Sequence, residues 1–293
     1  MPYKNGKEVY NKVTFTDEEL LDIKESYLNG ESSVKIGKRY NTSHKPILRE
    51  LHNMGIEVSQ KRFARKYNIN ESYFDEIDTQ NKAYIMGFLS ADGCNFPSKS
   101  TISMSLEECD KEILEKICKE MDNTHPLEFI DYSNKKDFGY TYKDQYRMLI
   151  FSSHMCNKLE EHGVIPNKSL RLQFPENLDD DLKRHYLRGY FDGDGTLGYK
   201  NVASYIKKNR GKLTISIVST NDFCKSAKEF IENNLDVECS ISEPIKKNGV
   251  TSTLLIKAKY NTIFLDWLYK DANLFLKRKH DIYLNYINDF YAA

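Results

Sequence analysis

The 293-residue sequence predicts an α+β fold: two pseudo-symmetric αββαββα repeats preceded by a small all-α domain. Three observations predict it. AYIMGFLSADGCNF, residues 83–96, and RHYLRGYFDGDGTLGY, residues 184–199, both read as a helix that stops at an Asp-Gly pair. Each is followed by an alternating strand and a second helix. The first sixty residues instead carry three short apolar-periodic segments separated by turn residues. These patterns divide the chain into an all-α domain at 1–58, a basic linker at 59–74, and repeats at 75–178 and 179–293.

In the first of the two stretches Ala83, Gly87 and Ala91 recur every four residues; in the second Gly189 and Gly193 do the same. That spacing lines small residues along one helical face. Gly inside a helix costs about 1 kcal/mol relative to Ala. Two helices accepting that cost at one register point to two backbones in close approach, most simply to each other. Gly93 and Gly195 suit the left-handed residue that closes a helix. Asp92 and Asp194 just before them face the negative end of the helix dipole, and parallel packing would set the two acids side by side. A bound divalent cation would relieve both costs. Asp-Gly turns after helices are common, and one alone carries no function; duplication at one register makes coincidence the weaker explanation.

These stretches resemble the LAGLIDADG homing endonucleases. Residues 85–93, Ile85-Met86-Gly87-Phe88-Leu89-Ser90-Ala91-Asp92-Gly93, match the nine-residue motif, as do residues 187–195, Leu187-Arg188-Gly189-Tyr190-Phe191-Asp192-Gly193-Asp194-Gly195. Ser90 departs from the pattern, where the family often has Asp; Asp192 is its counterpart. The resemblance covers about residues 70–290. It implies that Asp92 and Asp194, with Gly93 and Gly195, hold a metal ion, Mg2+, for which Mn2+ or Ca2+ can substitute in binding. It also implies a saddle of antiparallel sheets seated on double-stranded DNA, and a double-strand break with short 3′ overhangs at a long asymmetric target. With both halves in one chain, a monomer is expected.

Composition neither supports nor opposes this. The chain has 43 basic and 43 acidic residues, so a nucleic-acid surface requires local segregation of charge. The six cysteines form no CxxC pair, which argues against a zinc ribbon and fits reduced thiols. No stretch approaches 18 apolar residues, and the polar start is no signal peptide, so the expected location is the cytoplasm of a bacterium or phage host, or an organelle.

In order along the chain, Thr16-Asp17-Glu18-Glu19 is a capping box, with Phe15 and Leu20 placed as a hydrophobic staple. A second helix starts at Ser32 or Ser33. Asn41-Thr42-Ser43 makes a tight turn, and a third helix follows with Ile47, Leu48 and Leu51 inward. Three short helices with a tight turn before the last fit a helix-turn-helix unit. His44, Lys45, Arg49 and His52 then suit phosphate and base-edge contacts, although a small solvated bundle would carry the same pattern. Lys61, Arg62, Arg65 and Lys66 read as a solvated linker or as a basic arm along DNA.

In the repeats Thr79 caps the first motif helix, and Asp179 to Asp181 supply cap and first-turn charge for the second. Strands are expected at 101–106 and 213–218, with helices opened by Asp110 and Asp222. Asp92 to Asp110 is 18 positions and Asp194 to Asp222 is 28, so the second copy carries about ten extra residues, around 204–212. Lys207, Lys208, Arg210 and Lys212 make that insertion basic, fit for a hairpin on DNA or an exposed loop. Closing strands at 146–151 and 253–258 precede helices at 155–163 and 261–272. Ser103 and Ser105, and Thr214 and Ser216, form the polar sets of the first strands and would face DNA in the family's geometry. Asp92 to Lys168 is 76 positions and Asp194 to Lys279 is 85, a difference of nine that nearly equals the insertion. By resemblance these lysines match the family's active-site basic residues, which organise solvent and stabilise charge at the cleaved phosphates, with Lys277 or Arg278 the alternative register for Lys279; without the repeat each would read as a surface charge. The rivals to a nuclease are a DNA-binding transcription regulator on this scaffold and a maturase that binds intron RNA.

Overall fold

A computed structural model describes residues 3–4, 7–8, 13–58, 66–133, 136–137, 140–200, 212–244 and 249–291. The chain forms two compact units, Met1–Lys66 and Tyr67–Ala293.

The first unit opens with a short antiparallel pair, β1 (Tyr3–Lys4) and β2 (Lys7–Glu8), and continues with α1 (Asp17–Leu28), α2 (Ser33–Arg39) and α3 (His44–Asn53). Thr16 and Glu19 form the expected reciprocal capping box of α1, and Ser32 Oγ accepts from Lys35 N at the start of α2. Ile23, Tyr27, Ile36, Ile47 and Leu51 make the core; Leu48 is only half-buried. Arg39 ties α1 to α2 by donating to Asp22 at 2.7 Å and Glu31 at 2.8 Å. Asn41 takes φ +50°, and a Cβ on Gly37 would lie 2.9 Å from the Thr42 carbonyl, so the turn between α2 and α3 is closed backbone against backbone.

The second unit begins earlier than the 75 expected. Asn68 N donates to Thr124 Oγ1, and Tyr73 and Phe74 are core residues, held in a turn where Asn70 Oδ1 accepts from Ser72 N. Its first repeat runs α4 (Gln80–Ala91), β3 (Gly93–Phe96), β4 (Thr101–Glu107), α5 (Lys111–Glu120), β5 (Glu128–Ile130), a small hairpin of β6 (Lys136–Asp137) and β7 (Tyr140–Thr141), β8 (Gln145–Phe151) and α6 (Ser153–Glu161). Its second runs α7 (Asp180–Asp194), β9 (Gly195–Lys200), β10 (Lys212–Thr220), α8 (Asn221–Asn234), β11 (Cys239–Ile241), β12 (Thr251–Ile256) and α9 (Asn261–Tyr269), and ends in α10 (Lys277–Tyr291). Two four-stranded antiparallel sheets result, ordered β3-β4-β8-β5 and β9-β10-β12-β11, the same topology twice. The α+β expectation holds. Alternating residues such as Ile102, Met104, Ile215 and Ile217 bury one face of each sheet in a common core.

Asp110 opens α5 from the N-cap position, as expected, but makes no capping bond; its buried carboxylate accepts from Arg278 Nε at 2.9 Å. Two local expectations give way. Thr220 Oγ1, not Asp222, caps α8 by accepting from Phe223 N. Gly93 and Gly195 are not left-handed caps. Each is the first residue of a strand, Gly195 at φ −73° and ψ 145°. They are small for a different reason: a Cβ would meet the Leu89 carbonyl at 2.7 Å or the Phe191 carbonyl at 2.4 Å, where the chain folds back over its own helix.

Candidate metal centre and nucleic-acid interface

The two motif helices α4 and α7 pack along their length as the small-residue lines require. A Cβ on Gly87 would lie 2.0 Å from the Tyr186 carbonyl oxygen, and one on Gly189 2.0 Å from that of Tyr84. One turn further on, a Cβ on Gly193 would meet Ala91 Cβ at 2.3 Å and Asp92 Oδ2 at 3.1 Å. Main chain therefore touches main chain across the pair, and both helices end at their acids. Asp92 is the C-cap of α4 and Asp194 the last residue of α7.

Asp92 and Asp194 are both exposed residues, yet the surrounding protein still desolvates their carboxylates in part. Burial, and then the Asp194 charge, push Asp92 up to about 6; burial also raises Asp194, against the pull of Lys168, Tyr190 and Lys279. A raised carboxyl holds its proton in the folded chain after losing it in the unfolded one. Its contribution to stability therefore falls as pH rises from about 4 to about 6. His185, pushed down to about 4 by burial, slopes the other way over this same range. The expected result is a wild-type thermal midpoint that falls, relative to that of Asp92→Asn, over this window. Scanning calorimetry of both proteins from pH 4 to 7 without divalent cations checks it.

Lys168 and Lys279 occupy equivalent positions. Lys168 Nζ donates to the Gly93 carbonyl. Lys279 Nζ donates to the Gly195 carbonyl at 2.5 Å and to the Phe191 carbonyl at 2.6 Å. Its neighbours turn elsewhere, Lys277 to Asp281 and Arg278 to Asp110, so Lys279 is the one that mirrors Lys168. Burial lowers both lysines, Lys279 to about 8. The carbonyls of Gly93 and Gly195 are thus already engaged by the two lysines. Among the described residues no three His, Cys, Asp or Glu side chains gather as a metal cluster. The oxygens available are those of Asp92 and Asp194 and the two glycine carbonyls.

The halves differ where Ser90 faces Asp192 by sequence. Ser90 Oγ donates to the Met86 carbonyl in its own helix. Asp192 is fully buried and accepts from Tyr84 OH at 2.9 Å, Tyr269 OH at 2.8 Å and Leu276 N at 2.7 Å. Beside it Arg188, also fully buried, donates to the Leu274 carbonyl and meets His185 Nδ1. Sequence reasoning passed over this network because Arg, His and Asp in a helix normally mark its wet face. On the Ser90 side a cavity of about 210 Å³ opens instead, lined by Lys168, Asp194, Tyr190 and Ser219 among others.

Of the other expected contact residues, Ser103, Ser105 and Thr214 stand on the outer faces of their sheets. Ser105 Oγ accepts from Arg147 Nε. Ser216 shares the outer register but is 8% exposed, covered between its row neighbours Thr196 and Leu255, so it is not an open contact residue. In the first unit His44, Lys45 and His52 are exposed. Arg49 is not free as expected: it pairs with Glu50 at 2.6 Å and donates to the Val13 carbonyl at 2.6 Å. Lys66 is exposed. Lys61, Arg62, Arg65, Lys207, Lys208 and Arg210 lie outside the described residues, and Lys212 is placed only by its backbone, at the start of β10. No helix among the described residues is long and apolar enough to cross a membrane.

No protein-family model matches the sequence. The chain is 24% identical over 208 residues to an uncharacterized protein of Methanocaldococcus jannaschii, covering 68% of this chain and 66% of that protein, just under two thirds of its length. Among solved structures it is similar to the LAGLIDADG homing endonuclease I-LtrWI bound to target DNA, with 13% identity, 72% of this chain and 91% of that chain covered, and a TM-score of 0.45. It is similar also to full-length DUF199/WhiA from Thermotoga maritima, with 16% identity, 74% and 66% covered, and a TM-score of 0.42. Identities of 13 and 16% leave every functional residue to be argued from this chain itself.

Proposed function

We propose that the chain is a site-specific DNA endonuclease of the LAGLIDADG kind that works as a monomer and makes a metal-dependent double-strand break. The observation that carries this reading is the pair of acids at the ends of two helices in backbone contact, each raised by burial and each matched by a lysine anchored on the next strand. The donor set is all oxygen, which suits a hard cation. Mg2+ in particular is commonly held by one or two carboxylates and completed by substrate phosphates and water. Asp92 and Asp194 would hold it, with Gly93 and Gly195 carbonyls in reach. When bound, Mg2+ supplies Lewis acidity and positive charge at a scissile phosphate.

The chain's own residues do the rest. Lys168 and Lys279, cationic beside the acids, stabilise the phosphate charge that builds up on each strand. Lys168 also lines the 210 Å³ cavity, whose serine, tyrosine and carboxylate walls can order water next to Asp194. The outer faces of the two sheets present side chains to a major groove, and the three-helix unit adds a further, salt-sensitive contact through His44, Lys45 and His52.

The test is nicking and linearisation of a plasmid carrying the uninterrupted allele of the encoding locus, in Mg2+. Scission by the wild-type chain, with a Tm raised by Mg2+ at pH 7 and not raised in Asp92→Asn, is the expected result. Specific duplex binding without scission in Mg2+ or Mn2+ would instead assign a regulator, and preferential binding of intron RNA a maturase.

A further inference from the structure

The two sheets share a topology but not an outer surface. On the first, residues align in rows across the strands: Phe96, Thr101 and Phe151 in one, Cys94, Ser103 and Leu149 in the next. Phe96 is 42% exposed, Phe151 51%, and Leu149 half-buried. On the second, one row holds Thr196, Ser216, Leu255 and Ser240, and the next pairs Val218 with Thr253. No aromatic side chain stands on that outer face among the described residues. At this end the first face is apolar and aromatic where the second is mostly hydroxyl-bearing; one row further along, the first face turns polar with Ser105, Arg147 and Glu128.

Base edges distinguish these chemistries. In the major groove the 5-methyl group of thymine is the apolar feature, and Phe and other apolar side chains contact it. Ser and Thr hydroxyls donate or accept and favour no single base. Stacking on unpaired bases, the other use of aromatics on a sheet, needs open ring faces. Here the Lys99 ammonium lies 5.8 Å from the Phe96 ring centroid, and the His125 ring packs at 5.4 Å, tilted, on Phe151. The ring edges remain, and Lys99 adds a cation at the rim where a duplex backbone would pass.

Resting on the proposed DNA-binding function, we infer that the first repeat reads thymine methyl groups through Phe96, Leu149 and Phe151, so that the target half under it is thymine-rich and the half under the second repeat is not. The chain would discriminate the halves of its target by apolar contact on one side and hydrogen bonding on the other.

The test uses the full chain in Ca2+ to select from a pool of random duplexes, and then remeasures recovered duplexes with deoxyuridine in place of thymidine in one half at a time. Uracil lacks only the methyl group. The expected result is a thymine-rich half in which each contacted methyl removed weakens binding about fourfold, with no loss in the other half. The Phe96→Ser/Phe151→Ser double variant should lose that sensitivity while keeping the salt dependence of binding. Both side chains are exposed, an unchanged thermal midpoint verifies its fold, and the uracil comparison on the wild-type chain needs no variant. An enriched target with no uracil penalty in either half, or a penalty that survives the double variant, overturns the inference and leaves DNA recognition standing. No enrichment of duplex sequences, or tighter capture of a single-stranded RNA pool, overturns both.

Discussion

Asp92→Asn and Asp194→Asn are each expected to abolish strand scission while leaving the fold intact or more stable. Asn keeps the shape and removes the charge on which cation binding depends. A bound divalent ion supplies several kcal/mol of charge stabilisation, and at about 1.4 kcal/mol per tenfold its loss is expected to slow cleavage by about a thousandfold or more. Stability should move the other way. Each carboxylate is raised by burial, and Asp92 further by its partner, so at pH 7 without a cation removing one charge relieves the other. Plasmid nicking followed on a gel, beside the thermal midpoint of the same preparations, reads both. A fully active Asp194→Asn protein would sink the shared-site reading. A midpoint that drops sharply in both variants would show instead that the acids are structural.

Gly87→Ala and Gly189→Ala are each expected to destabilise the second unit by about 3 kcal/mol or more. Overpacking a well-filled interior costs about 1–3 kcal/mol where neighbours can shift. Here the obstructing atom is a carbonyl oxygen 2.0 Å from the new methyl, held within the opposite helix, so relief requires the helices to separate. Gly198→Ala is the control. Nothing lies within 4 Å of its Cβ position and its φ is not positive, so its effect is expected within about 0.5 kcal/mol. Urea denaturation of the three variants, monitored through Trp267, decides the matter. Equal midpoints for Gly87→Ala and Gly198→Ala would mean that the helix pair is looser than its backbone contacts indicate.

What could be read from the sequence was either local or repeated. Thr16, Ser32 and Thr79 cap their helices through bonds that span three residues, and the residues themselves announce this. The strands around Ile102 and Ile215 follow from alternation alone. Lys168 and Lys279 are surface-type residues, found only because two long intervals agreed once the insertion was allowed for. What escaped depends on distant partners. Asp110 looks like a cap but turns to Arg278, 168 positions away. Arg188, His185 and Asp192 look like the wet side of a helix but form a core network with Tyr84, Tyr269 and the chain at Leu274 and Leu276. The final helix, Lys277–Tyr291, is not legible in the sequence because it opens on three cations and its packing residues, Ile282, Tyr283 and Tyr286, are only partly buried. Gly93 and Gly195 were recognised as necessary for the wrong reason, since their constraint is space above a helix end and not backbone handedness.

The contact between the motif helices bears on how such a chain can change over generations. Carbonyl oxygens of Tyr84 and Tyr186 fill the places where side chains would otherwise separate the two backbones. The spacing of the two acids is thus written in main-chain atoms, which a substitution disturbs only where it puts a side chain between them, as at Gly87 or Gly189. The large residues around the pair can change, and the two halves can differ as Ser90 and Asp192 do, while the backbone contact that sets the carboxylates side by side is kept.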